Sequence, residues 1–242
     1  MKNIILIGKN GKMAKLLYET FQEDSNYKVL GYLSYKKSAD SQLFNEKKVF
    51  NSLSEIEEKE FTILDFSHRS VTSKLLTELS KETRCYGLII GTSGLNTSDF
   101  ELMNDLSKRM KIFHSSNFSE GMFIFQQMLG IVLSLKLENW NARIHDFHHS
   151  NKLDSPSATA LELFRMLQHL DPKSSEISYT RIGDGVSEHT VYLHGIKERI
   201  DLVHKILDRK TFVPSIEKAV AFLQNSQAGM YGMKDLFNLN SI

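Results

Sequence analysis

The chain has 242 residues, 41% apolar and 24% charged, with a formal net charge of +1 at pH 7. This is ordinary globular usage for one large domain or two small ones, and the near-neutral balance excludes a global field for nucleic acid or an acidic membrane. A single cysteine, Cys85, excludes an internal disulfide framework or multi-cysteine metal site and fits a reducing, cytoplasmic setting; no run approaches the ~18 apolar residues of a spanning helix.

Residues 2–7 form a continuous apolar run that stops at Gly8, the pattern of a buried parallel strand. Residues 12–23 have helical spacing, with Met13, Leu16, Leu17 and Phe21 on one face. Strands are predicted at 28–34, 61–66, 86–90 and 111–115, with helices at 70–81 and 97–108 between them. Strands alternating with helices imply a Rossmann-like, doubly wound parallel sheet. After about residue 117 the rhythm changes. A long apolar helix at 120–136 precedes a strand at 141–148 and a helix at 157–170, with Leu161, Phe164, Leu167 and Leu170 along one side. Alternation at 177–183, 187–194 and 198–206 predicts a mixed or antiparallel sheet, with a turn at 194–197 and a final helix at 215–225. The fold class is therefore α/β with a second, α+β domain.

Two segments carry chemistry. Gly8-Lys9-Asn10-Gly11-Lys12-Met13-Ala14 lies between the first strand and the first helix, where a tight turn lets backbone N–H groups meet a dinucleotide pyrophosphate. At the end of the second strand, where an acid usually binds the adenosine ribose, stands Ser34, followed by Tyr35, Lys36 and Lys37. Serine and lysines accept a 2′-phosphate that a carboxylate would repel, so the reading leans towards NADPH over NADH, with a solvated lysine pair as the alternative. Asp65-Phe66-Ser67 and Gly91-Thr92-Ser93-Gly94 end later strands at the carboxyl edge, where ligands collect.

The second segment is His148-His149-Ser-Asn-Lys152-Leu-Asp154-Ser-Pro156-Ser157-Ala158-Thr159. Cations here precede a helix start whose N–H groups, from Ala158 and Thr159, are expected to be unpaired. Together they suit a carboxylate or phosphate, with a histidine available as a proton source. No metal is expected, because adjacent histidines on a strand point to opposite faces and no HExxH or CxxC accompanies them. Titratable clusters are also often purely structural.

In order and spacing these segments resemble the dihydrodipicolinate reductase family. The likeness also includes Asn117-Phe118-Ser119-x-Gly121, Arg181-x-Gly183-Asp184, Glu188-His189-x-Val191 and Gly229-x-Tyr231-x-Met233-x-Asp235, and the His148-His149-x-x-Lys152 block is the most specific. The resemblance implies a dinucleotide-binding domain at 1–116 plus 214–242 and a substrate-binding and oligomerisation domain at 117–213, assembled as a homotetramer. It implies NAD(P)H-dependent reduction of a cyclic unsaturated dicarboxylate in the diaminopimelate–lysine pathway. His148 looks like the proton donor and Lys152 like an acid that also pairs with a substrate carboxylate, while His149, Thr159 and the backbone of Ala158 would hold a carboxylate. Gly8, Lys9, Asn10, Gly11, Lys12 and Met13 would meet the pyrophosphate, and Gly91, Thr92, Ser93, Ser116, Asn117 and Phe118 would border the nicotinamide. The chain departs from the family pattern at Ala14, Asp146, Ala158, Ser187 and Ser215. These departures leave two alternatives, an imine or enoate reductase for another carboxylate and a non-catalytic NADPH-binding sensor. The extra methyl at Ala158 is tolerated if φ there is negative and strained if φ is positive.

Overall fold

The computed structural model describes residues 1–35, 43–44, 46–82, 84–152, 154–168, 176–184 and 187–237. Lys36 and Lys37 lie outside the described residues. In chain order the first unit holds β1 (Lys2–Ile7), α1 (Lys12–Glu23), β2 (Tyr27–Leu33), β3 (Leu43–Phe44), β4 (Lys47–Phe50), β5 (Phe61–Asp65), α2 (Arg69–Leu79), β6 (Cys85–Ile90), α3 (Thr97–Ser107) and β7 (Lys111–His114). The second holds α4 (Glu120–Ser134), β8 (Asn141–His148), α5 (Ala158–Leu167), β9 (Glu176–Arg181), β10 (Ser187–His194) and β11 (Arg199–Ile206). The chain then returns to the first unit with α6 (Val213–Asn225), β12 (Gly229–Tyr231) and α7 (Met233–Leu236). The two compact units are Met1–Ser116 with Val213–Ile242, and Asn117–Phe212. Val213, which the sequence reading groups with the second unit, opens α6 in the first.

The first unit is an eight-stranded sheet in the order β12-β7-β6-β5-β1-β2-β4-β3, parallel except for β3 against β4. Ile4, Ile5, Leu6 and Ile7 are at most 1% exposed because β1 is covered on both faces, as its unbroken apolar run demands. Burying each such side chain contributes about 1.5–3 kcal/mol. In α1 the buried stripe is Ala14, Leu17 and Phe21, while Met13 is only partly covered. Three strands escaped the sequence reading. β3 and β4 are short and lie at a sheet edge among lysines, and three-residue β12 is held in place by pairing with β7 from more than a hundred residues away.

The second unit is a mixed sheet in the order β11-β10-β8-β9, with β8 and β9 parallel and the other pairs antiparallel. Strand β8 alternates strictly, burying Ala142, Ile144, Asp146 and His148. Its register with β10 pairs Ala142 with Leu193, Ile144 with Val191 and Asp146 with His189, and β11 adds His204 opposite His189. One sheet face therefore begins as hydrophobic core and ends as a buried polar row. Helix α5 packs on this face through Ala160, Leu163 and Leu167. Of the expected stripe, Leu167 is buried and Phe164 packs partly buried against this core, Leu161 is 38% exposed, and Leu170 lies outside the described residues. The Ser157 cap ties the start of α5 to β8. No helix among the described residues is long and apolar enough to cross a membrane.

Candidate active site

Residues two apart on a strand share a face, so Asp146 and His148 point the same way from β8. Asp146 is fully buried and its carboxylate is surrounded by donors. Its Oδ2 accepts the Ser157 backbone N–H at 2.8 Å and Nη2 of Arg181 at 2.9 Å. Its Oδ1 accepts the Ser157 hydroxyl at 3.0 Å and lies 2.8 Å from Nδ1 of His148 and 3.4 Å from Nε2 of His189. The His148 N–H lies off the line of a hydrogen bond. A modest turn of the ring, whose terminal torsion is soft, would align it. Burial opposes ionisation of Asp146, but His148, the Ser157 N–H and Arg181 outweigh it and hold the carboxyl well below the usual carboxylate range. Burial pushes His189 the other way, down to about 4 against the pull of Asp146, so its imidazole is neutral at pH 7.

Ser157 caps α5 by accepting the Ala160 N–H at 3.1 Å, with Pro156 just before the cap and not inside the first turn. Ala158 is the first helical residue and has no positive φ, so its methyl is unstrained. Its N–H, expected to be unpaired, donates to the Asp154 carboxylate, which also pairs with Nζ of Lys152 at 2.8 Å. Asp154 thus engages two of the four groups expected to meet a substrate carboxylate, Lys152 and the Ala158 N–H. Asn117 Nδ2 approaches the Thr159 hydroxyl at 3.4 Å.

His148, His149 and Lys152 line one cavity of about 490 Å³, together with Ser187, Arg209 and Phe212. β8 ends at His148, so His149 lies beyond the strand, and both histidines border the cavity. Donor atoms of Asp146, His148 and His189 lie within 4.8 Å of one another, close enough to hold a metal ion. Arg181 already supplies a positive partner to that carboxylate, and a divalent ion would have to coexist with it. Arg181, His189 and Arg209 were not singled out for the site from sequence. The adjacency of Asp146-x-His148 was a signal for the buried pair, whereas the other partners arrive from separate strands and a loop.

In the first unit, Gly8 has φ of +87°, a region costly for side-chain-bearing residues. The Gly11 N–H closes the turn on the Gly8 carbonyl at 2.6 Å, and a Cβ at Gly11 would meet that carbonyl at 3.0 Å. The α1 N-terminus carries no side-chain cap and no acid in its first turn. A tight glycine turn before an open helix start fits a dinucleotide pyrophosphate, with Lys9, Asn10, Lys12 and Met13 around it. Ala14 packs into the core at 1% exposure, so its methyl is accommodated inside α1.

The ends of β5 and β6 are bound to each other. Asp65 accepts the Ser67 N–H at 3.1 Å, the Ser67 hydroxyl at 2.5 Å, the Thr72 hydroxyl at 2.6 Å and the Thr92 hydroxyl at 3.2 Å. Burial raises its pKa against those hydrogen bonds. Phe66 lies so close to Gly91 that a Cβ there would fall 2.1 Å from the ring. Ser34 follows β2 directly, with its N–H on the Phe50 carbonyl at 2.9 Å, and Tyr35 donates its hydroxyl to Glu78 at 2.6 Å. Among the residues expected to border a nicotinamide, Ser93 is exposed, Thr92 is 3% exposed with its hydroxyl on Asp65, and Phe118 is 2% exposed. Ser116 closes the first unit, while Asn117 and Phe118 open the second.

Two family models match the chain, meeting near residue 120, and the second also takes in the segment that returns to the first unit. Residues 2–118 match the family model "Dihydrodipicolinate reductase, N-terminus", and residues 121–237 match "Dihydrodipicolinate reductase, C-terminus". The chain is 30% identical over 233 residues to the 4-hydroxy-tetrahydrodipicolinate reductase of Thermosipho africanus, covering 96% of this chain and 95% of that one. It is 28% identical over 270 residues to the enzyme of the same name from Buchnera aphidicola subsp. Cinara cedri, covering 98% of each. Among solved structures, the dipicolinate-bound dihydrodipicolinate reductase of Paenisporosarcina sp. TG-14 shares its fold, with a TM-score of 0.70 at 17% identity over 97% of this chain and 99% of that one.

Proposed function

The chain belongs to the dihydrodipicolinate reductase family, and from that premise we propose that it reduces 4-hydroxy-tetrahydrodipicolinate to tetrahydrodipicolinate on the route to diaminopimelate and lysine. The observation that carries the reading is a single cavity lined by His148, His149 and Lys152, with His148 backed by a buried carboxylate. A dianionic substrate loses hydration on entering such a cavity, and Lys152 offsets the loss, with Arg209 on the same wall. His149, the Thr159 hydroxyl and the Ala158 N–H hold a carboxylate once Asp154 yields its place. A ring dicarboxylate, like the dipicolinate bound to the Paenisporosarcina enzyme, matches this set of donors.

Gly8, Lys9, Asn10, Gly11, Lys12 and Met13 cradle the pyrophosphate of a nicotinamide dinucleotide. Gly91, Thr92 and Ser93, with Ser116, Asn117 and Phe118, border its nicotinamide, the buried side chains of Thr92 and Phe118 leaving that task to backbone. When bound, the reduced nicotinamide supplies the hydride. His148 supplies the proton to the centre that becomes electron-rich, and Lys152 assists as an acid while gripping a carboxylate. Ser34, in place of a carboxylate at the end of β2, favours NADPH. The protein works in the cytoplasm as a homotetramer. The homotetramer follows from the family resemblance.

The test is a reduction assay that generates the unstable precursor in place and follows NADPH and NADH oxidation in parallel. Turnover is expected with both and faster with NADPH, and Lys152→Ala should slow it by about 100-fold or more. A folded protein that oxidises neither nucleotide would refute the activity.

A further inference from the structure

We propose that Asp146 is a positioning residue for proton delivery. With the ring turned into line, its Oδ1 takes the Nδ1–H of His148, fixing the ring's tautomer and presenting Nε2 as the nitrogen that gives up a proton. This rests on the reading of His148 as the proton donor.

The two oxygens of the carboxylate divide the work. Oδ2 is anchored by the Ser157 N–H at 2.8 Å and by Arg181 at 2.9 Å, which tie β8 to the start of α5 and to β9. Oδ1 faces Nδ1 of His148 at 2.8 Å. It is held in that plane by the Ser157 hydroxyl at 3.0 Å. A buried carboxylate with so many donors is ionised and immobile, which suits it to orient an imidazole and to stabilise the imidazolium. His189 does not compete for the role. Its Nε2 is farther away, at 3.4 Å, and its ring meets His148 edge-on with centroids 5.2 Å apart. Around His148 stand Asp146 on its own strand, Arg181 from β9 and His189 from β10, and the cavity it lines also carries His149, Lys152, Asp184, Asp208 and Arg209. Of the carboxylates, Asp146 is the one whose oxygen lies 2.8 Å from the ring.

The proton balance is simple. The imidazolium loses its Nε2 proton to the centre that has accepted hydride, the neutral ring keeps Nδ1–H on Asp146, and water restores the Nε2 proton. Without the carboxylate the neutral ring can carry its proton on Nε2 instead, and the cation is less stable.

Asp146→Asn, Asp146→Glu and His148→Gln should be compared in the full-length protein. For Asp146→Asn we expect kcat to fall by about 10- to 1,000-fold, with dinucleotide affinity unchanged. Asp146→Glu, which keeps the charge, should recover much of the rate. Nitrogen-resolved NMR of the unmutated protein should show neutral His148 as the Nδ1–H tautomer, a readout that does not depend on any variant folding. A folded Asp146→Asn protein with unchanged kcat overturns the proposal, as does an Nε2–H tautomer. A fully active His148→Gln protein overturns the proton-donor reading beneath it, which separates the two failures.

Discussion

Replacing Gly91 by alanine places a methyl carbon 2.1 and 2.3 Å from two carbons of the Phe66 ring, against the ~3.5–4.0 Å of an ordinary carbon contact. The ring must retreat by more than an ångström, and it cannot move alone. Its neighbours Asp65 and Ser67 are joined to Thr92 through the Asp65 carboxylate, and the Gly91 N–H donates to the Asp65 carbonyl at 2.9 Å. Overpacking of this kind costs about 1–3 kcal/mol. For a chain of this length that lowers Tm by roughly 2–12 °C. Because the displaced turn is the one assigned to the nicotinamide, affinity for NADPH should fall by about tenfold, the equivalent of one or two lost hydrogen bonds. Trimming the ring with Phe66→Ala should relieve the clash, so the double variant recovers affinity and the two changes couple by about 1 kcal/mol or more. Thermal unfolding and fluorescence titration of NADPH on the single and double variants measure this. Additive losses, or a Gly91→Ala protein that binds and melts like the parent, would show that the contact between Phe66 and Gly91 does not shape the turn.

Two further outcomes follow from the same geometry. Ser34→Asp sets a carboxylate against a 2′-phosphate and should cut kcat/KM with NADPH at least tenfold while changing NADH use little; equal losses with both nucleotides would remove Ser34 from the ribose end. Stability should fall as pH drops from about 6.5 towards 4, because burial holds both His189 and His114 down to about 4, so the unfolded chain binds more protons throughout that window. For His189, which is 2% exposed, the loss is up to about 3 kcal/mol by pH 4 at ~1.4 kcal/mol per pH unit. Melting curves between pH 7.5 and 4.5 test this, and His114→Phe should flatten the dependence; a pH-independent Tm would contradict it.

The readings that succeeded from sequence rest on local spacing. The apolar run of β1 ending at Gly8, the alternation of β8 and the family motifs each depend on neighbours a few residues apart. The errors meet in α5. Leu161 looks like part of the buried stripe of α5 by periodicity, yet it is 38% exposed on a helix whose start is tied to Asp146 through Ser157. The Ala158 N–H looks open from the helix start, yet Asp154 folds back onto it. In both cases a side-chain hydrogen bond at the helix start is invisible to hydrophobic patterning.

Sequence alone was sufficient to determine the family, the succession of strands and helices in most of both units, and the residue types for anion binding and proton transfer. These depend on side-chain chemistry and on periods of two and 3.6 residues, which any stretch of chain displays. Only the tertiary structure decided that β12 pairs with β7, that Asp146, Arg181 and His189 meet from three strands, and that His149 turns into the same cavity as His148. Those contacts join residues tens of positions apart, and their geometry is set by strand register and packing, which no local window contains.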